Sequence, residues 1–503
     1  MDIKIPPDDE HNRALVSNVH PADWRAPDPA PRYHLVVVGA GTAGLVTAAG
    51  AAGLGAKVAL VERHLMGGDC LNVGCVPSKA LIRASRACAE VRDAGSYGVV
   101  VPPGARVDFP RVMERMRKLR AGLSPHDSAR RFRELGVDVF LGEARFTGPD
   151  ALEAGGKTLR FAKAVIATGA RAAIPPIPGI EKAGYLTNET VFSLTSLPTR
   201  LAVIGGGPIG CELAQAFARF GSKVVILQSA PQILHREDPD AALRVQAALT
   251  KDGVEIVTGC SIASVEWRGG EKVIRVESGG GARELVCDEV LVGVGRAPNV
   301  EGLGLEAAGV HYDLKAGIRA DDFLRTTNPR IYSAGDSCMA HKFTHAADAA
   351  ASIVIQNALF LGRKRLSALV IPWCTYTDPE IAHVGIYEEE ARARGLKVRT
   401  FVQELSGVDR ALLDGEAEGL VKVHVQEGTD RILGATIVAR HAGEMISELT
   451  LAMVAGAGLG TLAGTIHPYP TQAEAIKKAA DAWNKSRLTA PARKLLVLWL
   501  GRP

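Results

Sequence analysis

The chain has 503 residues, 47% of them hydrophobic, which is the length of roughly three globular domains and an ordinary composition for a packed enzyme. Lys and Arg (59) barely outnumber Asp and Glu (55), and no long basic block occurs, so charge excludes an electrostatic footprint for nucleic acid. The polar stretch Met1–Glu10 lacks the apolar core of a secretory signal, so a cytoplasmic location is expected; there, eight scattered cysteines make no structural disulfide framework, and a persistent bridge would be catalytic.

Residues 1–32 are rich in Pro, Asp and Arg, show no clear apolar periodicity, and read as an extension ahead of the first domain. The uncharged run Leu35–Ala56 has the length of a membrane span, but its glycine pattern argues against one. Leu35–Val38 is a short β-branched strand, Gly39-Ala40-Gly41-Thr42-Ala43-Gly44 a glycine turn, the stretch to Gly55 a helix, and Lys57–Val61 a buried strand ending at Glu62. This is a βαβ unit with glycines at its first bend. Arg111–Leu135 reads as charged helical structure, and Ala164–Gly169 as a strand ending in a tight turn at Thr168 and Gly169. Beyond the Pro-rich segment 175–178 the grammar repeats: strand Leu201–Ile204, turn Gly205-Gly206-Gly207-Pro208-Ile209-Gly210, helix Cys211–Phe220, strand Lys223–Leu227. Strands follow at Val290–Val294, before Gly295, and at Ile331–Ser333, running into Asp336, then a small-residue helix from about Ala346 to Leu361. From about Ser367 the texture becomes strands (Trp373–Thr377, Leu420–Val425, Ile432–Ile437) and helices, the pattern of a separate α+β domain.

A single GxGxxG is weak evidence, but two, each between a strand and a helix, are strong. In each, the first glycine (Gly39, Gly205) permits the tight turn, the second (Gly41, Gly207) lets a pyrophosphate approach the backbone, and the third (Gly44, Gly210) permits close helix packing. The helix N-terminus favours the anion. Glu62 stands where a carboxylate accepts hydrogen bonds from a ribose diol. The second unit ends at Gln228 and Ser229 with no acidic residue, which leaves a 2′-phosphate acceptable and favours NADPH over NADH; Arg236 is the nearest candidate clamp.

Cys70 and Cys75 lie in Gly67-Gly68-Asp69-Cys70-Leu71-Asn72-Val73-Gly74-Cys75-Val76-Pro77-Ser78-Lys79. A regular helix separates residues five apart by roughly 8 Å, beyond the ~7 Å between Cα atoms that a disulfide tolerates. A bridge here needs distorted helical geometry: Gly74 permits unusual backbone angles, and Pro77 removes a helical donor and crowds the carbonyl of Val73. Such a bridge is reducible. A metal half-site or two buried thiols are the alternatives, but structural zinc wants four ligands and no second Cys pair exists, so no metal site is expected.

With these motifs, residues 33–488 resemble the flavoprotein disulfide reductases, the family of lipoamide dehydrogenase, glutathione reductase and mercuric reductase. Gly67–Lys79, Tyr376-Thr377-Asp378-Pro379-Glu380 and His467-Pro468-Tyr469-Pro470-Thr471-Gln472-Ala473-Glu474 are most similar to mercuric reductase and its relatives. The resemblance implies an α/β architecture with two Rossmann-like domains, for FAD and NAD(P), and a C-terminal α+β dimerisation domain. Its expected boundaries are an extension at 1–32, the FAD domain at 33–185 and 312–366, the NAD(P) domain at 186–311, the interface domain at 367–488 and a tail at 489–503. It places FAD at the first glycine turn, with Asp336 on the ribityl chain, Ala144 at the adenine end, and Thr168 and Gly169 in a flavin-domain turn. NADPH or NADH falls at the second, ahead of Gly295. Lys79 would lie beside the flavin ring and pair with Glu212. Hydride from the nicotinamide would reduce the flavin and then the Cys70–Cys75 disulfide, with Cys75 facing the flavin and Cys70 attacking the acceptor. A place in a helix's first turn, with Lys79 nearby, lowers a thiol's pKa. The site would be completed across a homodimer.

In disulfide-reducing members a His followed by Pro-Thr and, three residues later, a Glu supplies the acid/base group from the partner subunit. Here Tyr469 takes that His's place, while Pro470, Thr471 and Glu474 remain. A phenol with a pKa of about 10 shuttles protons poorly beside an imidazole of about 6.5. His467 could substitute only if turned inward. Tyr at this place resembles mercuric reductase, where a thiolate-bound soft metal needs less proton transfer, yet residues 485–503 hold no Cys pair and residues 1–32 no Cys-x-x-Cys metal carrier. The expected function is electron transfer from NAD(P)H through FAD and the dithiol to a thiol-reactive acceptor, a metal ion such as Hg(II) or a small oxidant. Reduction of a small disulfide or quinone, and a non-catalytic redox-sensing flavoprotein, are the alternatives. The apolar stretch Leu495–Leu500, too short to span a membrane and preceded by Arg493 and Lys494, is expected to be a tail helix packing on the protein, with lying at an interface as the alternative.

Overall fold

The computed structural model describes residues 3–501, which fall into two compact units: residues up to 227 with 260–369, and residues 228–259 with those from 370 onward. The first unit opens with α1 (Glu10–Val19), whose N-cap Asp9 accepts from the Asn12 N–H and which buries Leu15 and Val19. The Pro- and Asp-rich extension thus carries a docked helix, where the sequence shows no apolar period. Two apolar anchors and a buried Asn12 hold it rather than an amphipathic stripe.

The first βαβ unit is β1 (Tyr33–Val38), α2 (Thr42–Gly53) and β2 (Val58–Glu62), with the strands parallel and Val36 opposite Ala59. Leu35–Val37 and Val58–Leu60 are fully buried, as expected of parallel strands covered on both faces. The run Leu35–Ala56 is therefore mainly strand, turn and helix, and among the described residues no helix is long and apolar enough to cross a membrane.

Two helices follow, α3 (Gly68–Asn72) and α4 (Cys75–Asp93), then α5 (Phe109–Leu123). The charged stretch 111–135 is divided: Ser128 caps a second short helix, Ala129–Glu134. Next come β3 (Val137–Leu141), β4 (Ala144–Gly148), β5 (Ala151–Ala154) and β6 (Lys157–Ile166), and the sheet order is β3-β2-β1-β6-β5-β4. The second βαβ unit is β7 (Arg200–Ile204), α6 (Pro208–Phe220) and β8 (Lys223–Leu227); β9 (Glu289–Val292) joins the other edge of β7, also parallel. Residues 261–287 form an antiparallel three-stranded meander. The chain then returns to the first sheet, where β10 (Ile331–Ser333) lies parallel to β6 with Tyr332 opposite Val165, and continues into α7 (Thr344–Leu359).

The second unit is built on an antiparallel sheet of β11 (Pro372–Thr375), β12 (Glu380–Gly385), β13 (Val398–Glu404), β14 (Leu420–Gln426) and β15 (Ile432–Ala439), in the order β11-β12-β15-β14-β13. Val421, Val423 and Ile437 share a core with Leu449 of α8 (Ala442–Ala455) and Ile476 of α9 (Glu474–Ser486). The architecture is the α/β one expected, with two Rossmann-type units and an α+β domain. The last helix, α10 (Ala490–Leu500), corrects an expectation: Leu495–Leu500 do not pack on the protein but are 48–80% exposed. Six consecutive apolar residues point to every side of a helix, and one protein face covers only one of them.

Candidate functional site

Between α3 and α4, Gly74 sits at φ −136°, ψ −114°. The distortion expected between Cys70 and Cys75 is thus a full break, and the two thiols belong to different helices. A Cβ on Gly74 would stand 2.7 Å from Asp69 O, so the glycine serves close approach rather than left-handed backbone. As the third residue of α4, Pro77 needs no intrahelical acceptor. The Val73 carbonyl that an unbroken helix would offer to residue 77 accepts instead from Asn188 Nδ2 at 3.3 Å.

Cys70 and Cys75 are both free thiols, Cys70 half-buried and Cys75 exposed. The Cys75 pKa is pushed below the usual thiol range, chiefly because its sulfur accepts a hydrogen bond from Cys70, against the opposing effect of burial; Thr344 and the Lys79 charge add to the lowering. Thr344 Oγ1 lies 3.3 Å from the sulfur. Cys75 is also the first residue of a 19-residue helix, whose positive end favours a thiolate. The Cys70 pKa moves the other way, raised by donating to Cys75 and by burial. The lowered thiol is therefore Cys75, and Cys70 keeps the proton. Lys79 Nζ meets Glu212 Oε2 at 2.8 Å, so these two residues, 133 apart in sequence, come together with Glu212 buried.

The dithiol helix is braced from behind. Arg120 of α5, buried with its pKa pushed down to about 10 by desolvation, donates Nη1 to Asn72 O (2.7 Å) and Nη2 to Asn12 Oδ1 (2.6 Å). A cation thus satisfies a carbonyl at the C-terminal end of α3, where the helix dipole welcomes it, and the N-terminal helix α1 supplies its other partner. On its near side α3 abuts the first glycine turn. Gly67 N–H donates to Ala40 O (2.8 Å), and a Cβ on Gly68 would stand 2.6 Å from Gly41 Cα.

Both glycine turns fit a dinucleotide. Gly39 and Gly205 adopt φ of +100° and +106°, and a Cβ on Gly44 or Gly210 would lie within 2.0 Å of Gly39 O or Gly205 O, so helix and turn touch. Gly41 and Gly207 cap α2 and α6 without any side-chain acceptor, and a Cβ on either would meet nothing closer than 3.7 Å. First-turn amides and room for a phosphate remain there. Glu62 accepts from Ala40 N–H (2.7 Å) and His64 N–H (2.8 Å), bracing the turn, while burial pushes its pKa up. Gly142 N–H donates to Glu62 O, and Ala144 opens β4 beyond it.

Asp336 lies in the turn after β10, where burial raises its pKa and Arg296 opposes the rise. Arg296 Nε is 3.3 Å from Asp336, and its Nη2 binds Ala170 O and Asp69, the neighbour of Cys70. Thr168 Oγ1 donates to Asn299 O (2.6 Å) and Asn299 Nδ2 to Thr168 O (3.0 Å), which locks the Thr168–Gly169 turn beneath Gly295 and Arg296. Arg296, Thr344, Asn188 and Arg120 were not singled out by the sequence. Arg296 adjoins a glycine that was, but the others follow no spacing rule and are brought in by topology alone.

The remaining expected residues lie in the second unit. Gln228 is buried with its N–H on Val257 O, while Ser229 and Arg236 are exposed. Tyr469 is 71% exposed, and its hydroxyl donates to Asp409 Oδ2 (3.0 Å), which raises its pKa, rather than to Glu474. Glu474 opens α9 and lies 3.6 Å from Lys478. His467 pairs with Glu448, Nε2 to Oε1 at 2.8 Å.

The chain is similar to known proteins. Residues 33–352 match the family model of pyridine nucleotide-disulphide oxidoreductases, and residues 371–480 match its dimerisation domain. The chain is 36% identical over 453 residues to a mercuric reductase of Staphylococcus aureus, an alignment covering 90% of this chain and 83% of the relative. It is also 36% identical to a dihydrolipoyl dehydrogenase of Thermus scotoductus, covering 91% of this chain and 98% of that one. Among solved structures, the Cu(II) complex of the HOCl-induced flavoprotein disulfide reductase RclA of Escherichia coli superimposes with a TM-score of 0.79 at 29% identity, over 88% of this chain and 98% of the other. The chain belongs to the pyridine nucleotide-disulphide oxidoreductases, a family of FAD-dependent enzymes that work with a pyridine nucleotide coenzyme.

Proposed function

We propose that the protein is a homodimeric NAD(P)H-dependent reductase, preferring NADPH, whose Cys70–Cys75 pair passes electrons to a thiol-reactive acceptor, foremost a soft metal ion such as Hg(II). The observation that carries this reading is the placement of the dithiol: Cys75 opens α4 with Thr344 Oγ1 3.3 Å from its sulfur, Cys70 lies on the separate helix α3, and Lys79, one turn after Cys75, is held by Glu212 at 2.8 Å. When bound, FAD at Gly39-Gly41-Gly44 and NAD(P)H at Gly205-Gly207-Gly210 supply the two-electron chemistry that reduces the pair.

The chain's own residues do the rest. Cys75 holds negative charge at the start of α4, with Lys79 and Thr344 as its stabilisers, while Glu212 keeps Lys79 in place. Cys70, on the separate helix α3, is free to swing its sulfur toward an incoming acceptor without disturbing α4. Glu62, Thr168, Gly169, Ala144 and Asp336 hold the flavin nucleotide, and Gly295, Gln228 and Ser229 border the coenzyme. Tyr469, with Glu474 behind it, would face the dithiol of the second subunit. A phenol whose pKa is raised stays protonated near neutrality and does not take the proton of the attacking Cys70 thiol. A metal ion avoids that step, because its bond to the Cys70 sulfur displaces the one remaining proton to water. Reduction of a small disulfide is the second reading, favoured by the full-length similarity to dihydrolipoyl dehydrogenase.

Steady-state oxidation of NADPH and NADH by the FAD-loaded protein, with Hg(II), Cu(II), cystine-type disulfides and quinones as acceptors, separates these readings. NADPH-dependent turnover with Hg(II) or Cu(II), lost in Cys70→Ser, supports the proposal. Turnover with disulfides alone supports the second reading, and no reduction of bound flavin by either coenzyme contradicts both.

A further inference from the structure

We propose that α10 is a docking helix for an anionic lipid surface, which it enters at the interface without spanning it. Leu495, Leu496, Val497, Leu498, Trp499 and Leu500 are consecutive, from 48% exposed at Leu496 to 80% at Leu500. At 3.6 residues per turn, six in a row pass once round the helix and beyond. A helix that is apolar on all sides belongs in a core or in lipid; a groove on another protein covers one side and leaves the rest in water.

The charges around this segment fit one kind of surface. Lys485, Arg487, Arg493 and Lys494 are the charged residues between 485 and 500, with no Asp or Glu among them. Arg493 and Lys494 fall in the N-terminal half of α10, near the positive end of the helix dipole, so they do not stabilise the helix itself. They do complement phosphate headgroups, and basic side chains next to an apolar helical segment are the composition of interfacial anchors. At 11 residues the helix is about 16 Å long, too short for a hydrocarbon core of about 30 Å. Trp499 suits the headgroup boundary.

The test is co-sedimentation of the full FAD-loaded chain with vesicles of phosphatidylcholine alone and of phosphatidylcholine mixed with phosphatidylglycerol. The expected result is at least tenfold more protein on the anionic vesicles, reversed by high salt, with a blue shift of tryptophan emission. A chain ended after Leu488 should lose both signals and keep its flavin and its NAD(P)H-dependent flavin reduction. Full-length Arg493→Glu with Lys494→Glu should lose the preference for anionic vesicles. Equal sedimentation of the full-length and shortened chains overturns the proposal. So does a shortened chain that changes oligomeric state while the full chain ignores vesicles, because a second copy then covers the helix.

Discussion

At the residue scale the reading rests on which sulfur is the anion. The hydrogen bond from Cys70 holds the Cys75 thiol below the usual range, so the long-wavelength charge-transfer absorbance of the reduced, FAD-loaded protein should rise with pH at a midpoint below the ~8.5 of a free thiol and fade under it. A midpoint near 9 would show that the neighbours of Cys75 do not stabilise its charge. Thr344→Val removes a donor to a charged acceptor, an interaction worth about 1.5–3 kcal/mol, and should raise that midpoint by about one to two units, with Thr344→Ser restoring it. An unmoved midpoint in the Val variant would reduce Thr344 to a packing residue. Cys70→Ser should keep thiolate and flavin reduction and lose turnover with thiol-reactive acceptors; unchanged metal or disulfide reduction would refute its role. The cysteines, glycines and Glu62 were legible in the sequence because each obeys a short-range spacing rule. Thr344 and Asn188 were not, since nothing within a few residues of either marks it as a neighbour of the dithiol.

At the element scale, α3 is a five-residue helix held by its surroundings: Arg120 at one end, Gly68 against Gly41 at the other. Helices this short do not persist on their own. Asn12→Ala leaves buried Arg120 one partner short, and amide exchange over residues 66–73 should quicken by about tenfold or more, with the core strand β1 unchanged. Equal protection in both proteins would mean that α1 is only an appendage. Strand and helix positions in both βαβ units were readable within a few residues, because buried Val, Ile and Leu runs next to glycine turns admit little else. Helix α1 was not, because it offers only two apolar anchors and the rest of its anchorage is polar and long-range, through Asn12 and Asp9 to Arg120 and Arg117. The exposure of α10 was also missed, since apolar sequence says that a segment avoids water but not what covers it.

At the scale of the whole molecule, residues 371–480 match a dimerisation domain. If the site is completed across a homodimer, sedimentation should show a dimer, and dilution to monomer should remove acceptor turnover before it removes flavin reduction. The fold followed from repeats and texture, whereas the acceptor did not, because Tyr469 and the residues around it define what proton chemistry is missing more than which substrate is present. The central claim is that Cys70 and Cys75 form a redox couple in electronic contact with the flavin. Anaerobic reductive titration of the FAD-loaded protein tests it most directly. The wild type should consume one two-electron equivalent more than its flavin alone requires and develop charge-transfer absorbance after the first equivalent, whereas uptake equal to the flavin alone, with no such band, would contradict the account.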